Sequence, residues 1–439
     1  MTNFLSDYAE LVRGKTYKSA LCSESEGIPL LGLGAIEREG GFKSSFKRYQ
    51  GDTDPRTIVN SGDLFFSLKD LTQAGHLLGS VARLPESIPE GRLTQDTLKL
   101  SLSEIDPTYV YWLLRSPQAR RFYKSLATGT TNLGLAREDF LSLPIPPFTA
   151  ERKFTVELLE RIESKIELNQ KMNQTLEEIA KAIFKSWFVD FDPVRAKAEG
   201  RPTGLPPEIS DLFPDELVDS EIGEIPKGWS ATPLSDAINL DSGFAYKGKS
   251  KGRGDKFLVT MGCVSQSNRF NVKGLHRYEG EFKDRNIVKA GDICVSSHDV
   301  TQAREHLGAP FIVPESIGNT ITAAATNTFV VRPAGRLSTE FLYQLFQTQR
   351  YRNEMIASAK GTAILHISKT AVTNFLYCDP IKALKDNFDS LAIPIAQRIN
   401  VLTDENQALA ELRDALLPKL ISGELRIPDA EKFLEEAGI

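Results

Sequence analysis

The chain has 439 residues, 41% of them apolar and 25% charged, which is enough for two or three domains, each with its own core. It contains no run of about 18 apolar residues, which excludes a membrane-spanning helix, and its first residues lack the basic-then-apolar pattern of a secretory leader, so a cytoplasmic protein is expected. The formal charge of −5 argues against a uniformly basic nucleic-acid binder, yet the charge is uneven: residues 149–226 hold 10 basic and 17 acidic side chains, and residues 227–380 hold 19 and 13.

From the N-terminus, short apolar runs broken by turn residues predict short strands, as in Ile58-Val59-Asn60-Ser61-Gly62-Asp63-Leu64-Phe65-Phe66. A helical stretch is predicted over residues 107–125, and the first domain is assigned to residues 1–148. A long helix follows over residues 150–190, with no proline between Pro147 and Pro193. Its apolar residues fall on a heptad, with Leu159, Ile166, Asn173 and Ala180 at one position and Ile162, Asn169, Leu176 and Ile183 at the other. The helix segment is assigned to residues 149–191. Residues 192–226 carry Pro193, Pro202, Pro206, Pro207, Pro214 and Pro226 and read as an extended linker lying on a surface. Short strands resume in a second domain, residues 227–380, with a helical stretch over 337–358. A second long helix is predicted over residues 394–420, inside a segment 381–425. There Ile399 and Asn406 alternate with Ile395, Leu402, Leu409 and Leu416. Residues 426–439 form a tail.

The chain repeats itself. At a shift of 229 residues, positions 59–87 fall on 288–316 without a gap, and 13 of the 29 positions are identical, among them Asp70/Asp299 and Thr72-Gln73/Thr301-Gln302. The same shift places Gly14, Tyr17 and Lys18 on Gly243, Tyr246 and Lys247. A slightly larger one places Gly129-Thr130 on Gly361-Thr362, and the two helix seams superpose at 233. The predicted fold is therefore α+β: two repeated mixed α/β domains separated by two long helices. Two matching seams in one chain most simply pack on each other. An antiparallel coiled coil would then set one domain at either end, about a pseudo-two-fold axis. The asparagines would cost stability but fix register. Two amphipathic helices, each packed on its own domain, would leave the same pattern.

Signals for chemistry fail on context. Gly243-Phe244-Ala245-Tyr246-Lys247-Gly248-Lys249-Ser250 satisfies the phosphate-loop pattern. That motif needs a buried strand before it and a helix after it, whereas Ile238-Asn239-Leu240-Asp241-Ser242 is short and polar and Lys251-Gly252-Arg253-Gly254 disfavours helix. A basic loop gripping phosphates is the better reading. Pro144-Ile145-Pro146-Pro147-Phe148 lacks the leading Asn or Asp of an adenine-methyltransferase motif. Ser297-His298-Asp299 are consecutive, and consecutive side chains rarely converge as a triad. Cys22, Cys263, Cys294 and Cys378 are too scattered for a zinc site. No catalytic residue, metal or cofactor is expected.

Three segments resemble those of the specificity subunits of Type I restriction-modification systems. One is Ala182-Ile183-Phe184-Lys185-Ser186-Trp187-Phe188-Val189-Asp190-Phe191-Asp192-Pro193, similar to the close of their central helix. Another is Ile225-Pro226-Lys227-Gly228-Trp229, similar to the opening of their second recognition domain. The third is Leu412-Arg413-Asp414-Ala415-Leu416-Leu417-Pro418-Lys419-Leu420-Ile421-Ser422-Gly423-Glu424-Leu425, similar to the end of their second conserved helix. Residues 381–391 depart from the pattern, lacking the proline-rich, charged lead-in found before the first helix. The resemblance implies a non-catalytic subunit that binds double-stranded DNA, docks two methyltransferase subunits and, in the full complex, restriction subunits. S-adenosylmethionine would be bound by the methyltransferases.

If DNA is the ligand, matched polar residues of the repeat are candidates for a shared task, and unmatched ones for reading different half-sites. The matched candidates are Lys18/Lys247, Gln73/Gln302 and Thr130/Thr362. Lys69/His298 and Gly75/Arg304 differ between copies, so Lys69, His298 and Arg304 join the candidates. Lys43, Lys47, Arg48, Lys249, Lys251, Arg253 and Lys360 complete the basic set. The proposed helix seam is represented by Ile162, Ile166, Asn173 and Leu176, with Ile399, Leu402, Asn406 and Leu409. A helix of ~40 residues is ~60 Å long, so recognition domains at its ends would stand at least one ~34 Å turn of DNA apart. The expected target is bipartite, with unlike halves and a fixed gap. A duplicated protein–protein adaptor without DNA contact remains the alternative.

Overall fold

The computed structural model of the chain describes residues 3–130, 132–265, 269–300, 304–317, 322–362 and 364–423. Gln302 and the 426–439 tail lie outside the described residues. The fold is α+β and divides into two compact units: unit 1 comprises Met1–Glu167 with Gln407–Ile439, and unit 2 comprises Leu168–Asn406.

The repeat is visible strand by strand. In unit 1 a four-stranded antiparallel sheet runs in the order Ala9–Arg13, Leu98–Leu102, Leu64–Phe66, Val81–Arg83. In unit 2 the order is Ile238–Ser242, Thr328–Pro333, Ile293–Ser296, Pro310–Ile312, again antiparallel. Ala9–Arg13 and Val81–Arg83, moved by 229, give the bounds of their counterparts. Each unit also has a mixed sheet with one parallel pairing: Ile28–Leu31 beside Glu90–Leu93 in unit 1, and Lys251–Val259 beside Thr322–Ala324 in unit 2.

Side-chain alternation makes the four-stranded sheet the middle layer of each unit. Successive residues of a strand face opposite sides. Leu64 and Phe66 enter one core cluster, with Tyr109, Trp112 and Tyr123 of the helical stretch, while Phe65 enters another with Leu31, Val59 and Leu93 of the mixed sheet. In unit 2, Ile293 and Val295 join Phe341 and Phe346, while Cys294 joins Val259 and Ala324. A side chain such as Phe65, wholly buried, contributes roughly 1.5–3 kcal/mol.

Each expected helical stretch is in fact two helices, Pro107–Arg115 with Pro117–Ser125 and Thr339–Gln347 with Gln349–Ala357. Ser116 and Thr348 are extended, and each hydroxyl accepts a hydrogen bond from a backbone N–H of the next helix. Pro117 enforces the first break, because the residue before proline avoids the helical region.

The long helices run over Ala150–Phe188 and Lys382–Ser422. The second begins a dozen residues before the expected start at Pro394, which lies inside it. Proline removes one N–H, but Pro394 is solvent-exposed, so the freed carbonyl can turn to water, while Leu384, Phe388 and Ala392 before it and Ala396 and Ile399 after it keep the buried stripe unbroken. The expected extended linker also differs. It holds a helix, Asp192–Ala198, and sends Phe213 into the unit 2 core, 5.5 Å from the ring of Trp187 and 6.3 Å from that of Trp229. Two of its six prolines start helices instead of keeping the chain extended: Pro193 and Pro207 occupy first-turn positions, where a missing N–H is harmless. Among the described residues no helix is long and apolar enough to cross a membrane.

Candidate nucleic-acid interface

Both units carry the same loop frame. In unit 1, Lys69–Asp70 pairs antiparallel with Leu133–Gly134. Asp70 is buried, and its carboxylate accepts from the N–H and hydroxyl of Thr72 at 2.7 and 2.8 Å and from the N–H of Leu77 at 2.7 Å. Burial pushes this carboxyl up, but the Leu77 N–H and the Thr72 groups outweigh it and hold it below the usual carboxylate range. Thr128 and Gly134 close a hairpin with reciprocal backbone bonds of 2.9 and 2.8 Å. The Gln73 amide donates to the carbonyl of Thr130 at 2.7 Å, tying the two loops together.

In unit 2, His298–Asp299 pairs with Leu365–His366, and the Asp299 carboxylate accepts from the N–H groups of His306 and Leu307 at 2.6 and 3.1 Å. Lys360 and His366 close the second hairpin with two 2.9 Å backbone bonds. Below each frame a buried serine hydroxyl, Ser67 or Ser296, donates to the carbonyl of Lys69 or His298 at 2.9 Å. Buried carboxylates that accept several N–H bonds stiffen the loops they sit in.

The frame gathers some of the residues selected from sequence. Lys69, Gln73 and Thr130 are exposed on the unit 1 loops, with Lys69 held 3.1 Å from Asp96. Lys360 and Thr362 are exposed on the unit 2 hairpin, and the His298 ring stacks 5.8 Å from that of His366. Burial and the neighbouring His366 lower the pKa of His298. Arg304 is exposed, in the left-handed region at φ 56°, and its carbonyl accepts from Arg352 at 3.1 Å. The Ser297 hydroxyl meets His298 Nδ1 at 2.9 Å, while the adjacent Asp299 carboxylate is spent on the His306 and Leu307 N–H groups.

Other candidates sit elsewhere. Lys18, Lys43 and Lys47 are exposed in unit 1, and the half-buried Arg48 donates to the carbonyl of Gly27 at 3.0 Å. Lys247, Lys249, Lys251 and Arg253 are exposed in unit 2. The phosphate-loop string ends in a single 3-10 turn, Gly248–Ser250, followed by the strand Lys251–Val259, so no helix N-terminus faces it. Asp70, Asp299 and His366 were not among the sequence candidates; the identity of the two aspartates within the repeat was the available signal.

The long helices contribute to each unit separately. In unit 1, Leu159, Ile162 and Ile166 share a core cluster with Leu409 and Leu416, and Arg413 lies 3.0 Å from Glu163. In unit 2, the Asn169 amide donates to Glu405 and Asn406 at 3.1 Å each and that of Asn173 to Thr403 at 3.3 Å. Ile399 and Leu402 are buried, and Leu176 is half-buried.

No protein-family model matches the chain. It is 27% identical over 370 residues to the Type I restriction enzyme HindI specificity subunit of Haemophilus influenzae, a match covering 73% of this chain and 77% of that protein. It is 26% identical over 333 residues to the MjaIX specificity subunit of Methanocaldococcus jannaschii, covering 73% and 69%. A solved Type I S subunit from M. genitalium is 16% identical, with 96% and 95% covered and a TM-score of 0.48; the HsdS subunit from Thermoanaerobacter tengcongensis gives 16%, 95%, 97% and 0.30. The duplicated α+β chain is similar over about three quarters of its length to curated proteins of the Type I restriction-modification class. Its curated homologues are Type I specificity subunits.

Proposed function

We propose that this chain reads a two-part DNA target for a Type I restriction-modification complex and performs no chemistry itself. The duplicated loop frame carries this reading: Asp70 and Asp299 brace equivalent loops that differ between the copies at Lys69/His298, Leu71/Val300 and Gly75/Arg304. Two readers of unlike half-sites need such a shared frame, since backbone contacts set register and base-edge contacts select sequence. Residues 1–148 and 227–380 act as the recognition domains, with the exposed lysines and arginines taking phosphates. Residues 149–191 and 381–425 form an antiparallel coiled coil that sets the domains at opposite ends about a pseudo-two-fold axis. The order of contacts within unit 2 supports this, since Asn169 meets Asn406 while Asn173 meets Thr403. Such a ruler fixes the gap between half-sites. Two methyltransferase subunits, which bind S-adenosylmethionine and modify adenines, dock on the helices, and restriction subunits join in the full complex. Leu168, Met172 and Ile179, exposed on the first long helix, support apolar docking of a partner.

Methylome sequencing of cells that carry this chain and its methyltransferase tests the reading. Two unlike half-sites with a constant gap are expected. A complex that forms but shows no salt-sensitive DNA binding would favour an adaptor instead.

A further inference from the structure

Among the exposed large apolar side chains of the described residues, Leu71 at 64% and Val300 at 59% are the most exposed. They hold the same place in the repeat, one residue beyond the buried Asp70 and Asp299. Opposite them, one step past the ladder pairs Asp70–Leu133 and Asp299–Leu365, stand Asn132 and Ile364. Asn132 is exposed, and Ile364 is 55% exposed. The unit 2 tip is therefore apolar on both strands, whereas the unit 1 tip pairs Leu71 with an amide.

The described backbone at these tips is closely braced. Gly129 and Gly361 have φ of 105° and 108°, and a Cβ on either would overlap the carbonyl oxygen of Asn132 or Ile364. Each glycine thus lies close beneath its tip residue, and the aspartates hold Thr72 and Leu77 in unit 1 and His306 and Leu307 in unit 2. Val300 and Ile364 are β-branched and stiff at χ1, so little freedom is lost on contact. Lys360 is the one charged residue besides the histidine of the 360–366 hairpin, and residues 69–73 hold Lys69 and no acid except the buried Asp70. Such a surface favours a polyanion over an acidic protein. The apolar group that duplex DNA offers in its major groove is the thymine C5-methyl, and an asparagine amide pairs there with adenine.

Resting on the DNA reading above, we propose that these tips are the base-contacting points of the two units, and that Val300 and Ile364 pack against thymine methyl groups of one half-site.

The test uses the chain with its methyltransferase subunits and a duplex carrying the target found by methylome sequencing. Each thymine of the half-sites is replaced singly by deoxyuridine, which removes only the methyl. At one or two positions of one half-site the replacement should weaken binding about fourfold per methyl. Val300→Ala or Ile364→Ala should weaken binding to the thymine duplex, abolish the deoxyuridine effect there, and leave binding to random duplex unchanged. Two results would overturn the inference: no deoxyuridine-sensitive position coupled to either side chain, or variants that lose the methyltransferase while their DNA contacts persist, which would make the tip a protein-docking point. A wild-type complex without sequence-dependent binding would instead remove the DNA reading itself.

Discussion

Arg269 places its guanidinium Nη1 2.8 Å from both carboxylate oxygens of Glu340, with only 6% of its side chain exposed. The same guanidinium meets Glu177 of the first long helix and stacks 4.9 Å over the Tyr343 ring, all within unit 2. Burial works against its charge, but Glu177 and Glu340 outweigh this and raise its pKa. Removing one member of such a cluster strands buried charge, at about 3–5 kcal/mol. Arg269→Ala should lower the urea midpoint accordingly. Replacing Arg269, Glu177 and Glu340 together by Met, Leu and Leu should recover most of the loss. Equal destabilisation of the single and triple variants would refute the charge-balance account.

Glu163 gives unit 1 a pH-dependent contact. Burial pushes its carboxyl up, but Arg115 and Arg413, at 3.5 and 3.0 Å, outweigh burial and hold it below the usual range. Its folded pKa therefore lies below the unfolded value of about 4.3. The stability it contributes is complete above that value and is lost as pH falls through the folded one. Glu163→Gln should melt several degrees below the parent at pH 7, with the gap closing below about pH 4. Calorimetry across pH 3–8 checks this, and a gap independent of pH would contradict it.

The hairpin glycines provide a separate handle. Gly129→Ala and Gly361→Ala each place a Cβ against a carbonyl oxygen at positive φ, a strain of order 1–3 kcal/mol. Because each hairpin reaches its core only through the partly buried Leu133 or Leu365, the strain can be released by local opening of the hairpin, and the melting temperature should move little. Each variant should lose roughly tenfold or more in affinity for the bipartite target while still binding random DNA, as titration with the two duplexes will show.

The duplication and the heptads were legible in the sequence because they are periodic, and periodicity survives without knowledge of tertiary contacts. The break at Ser116 was readable from Pro117, but Thr348 has no proline after it, and its extended conformation follows from packing. Pro394 was read as a helix start because its tolerance inside the helix depends on facing water. The linker's prolines pointed to extension, whereas burial of Phe213 against two tryptophans decides its course. Candidate interface residues were chosen by charge and by comparing the two copies of the repeat, which finds exposed side chains such as Lys69, Gln73 and Lys360. The frame that presents them rests on Asp70 and Asp299, which reach backbone partners as far as seven or eight residues away, and on hairpins about sixty residues further along the chain.

The proposed ruler makes the most direct prediction about target geometry. Buried asparagines at Asn169 and Asn173, with partners at Asn406 and Thr403, fix the register of the two helices. A seven-residue insertion in one helix alone would shift these pairings and should destabilise the chain. Matched heptads inserted after Glu167 and before Gln407 keep every seam residue facing its partner and lengthen the pair by about 10 Å. At ~34 Å per ten base pairs, the gap should widen by roughly two or three base pairs. Because neither loop frame is touched, both half-sites should be unchanged in the methylome. If the half-site sequences change while the gap stays constant, the helices do not set the spacing, and the coiled-coil arrangement must be abandoned.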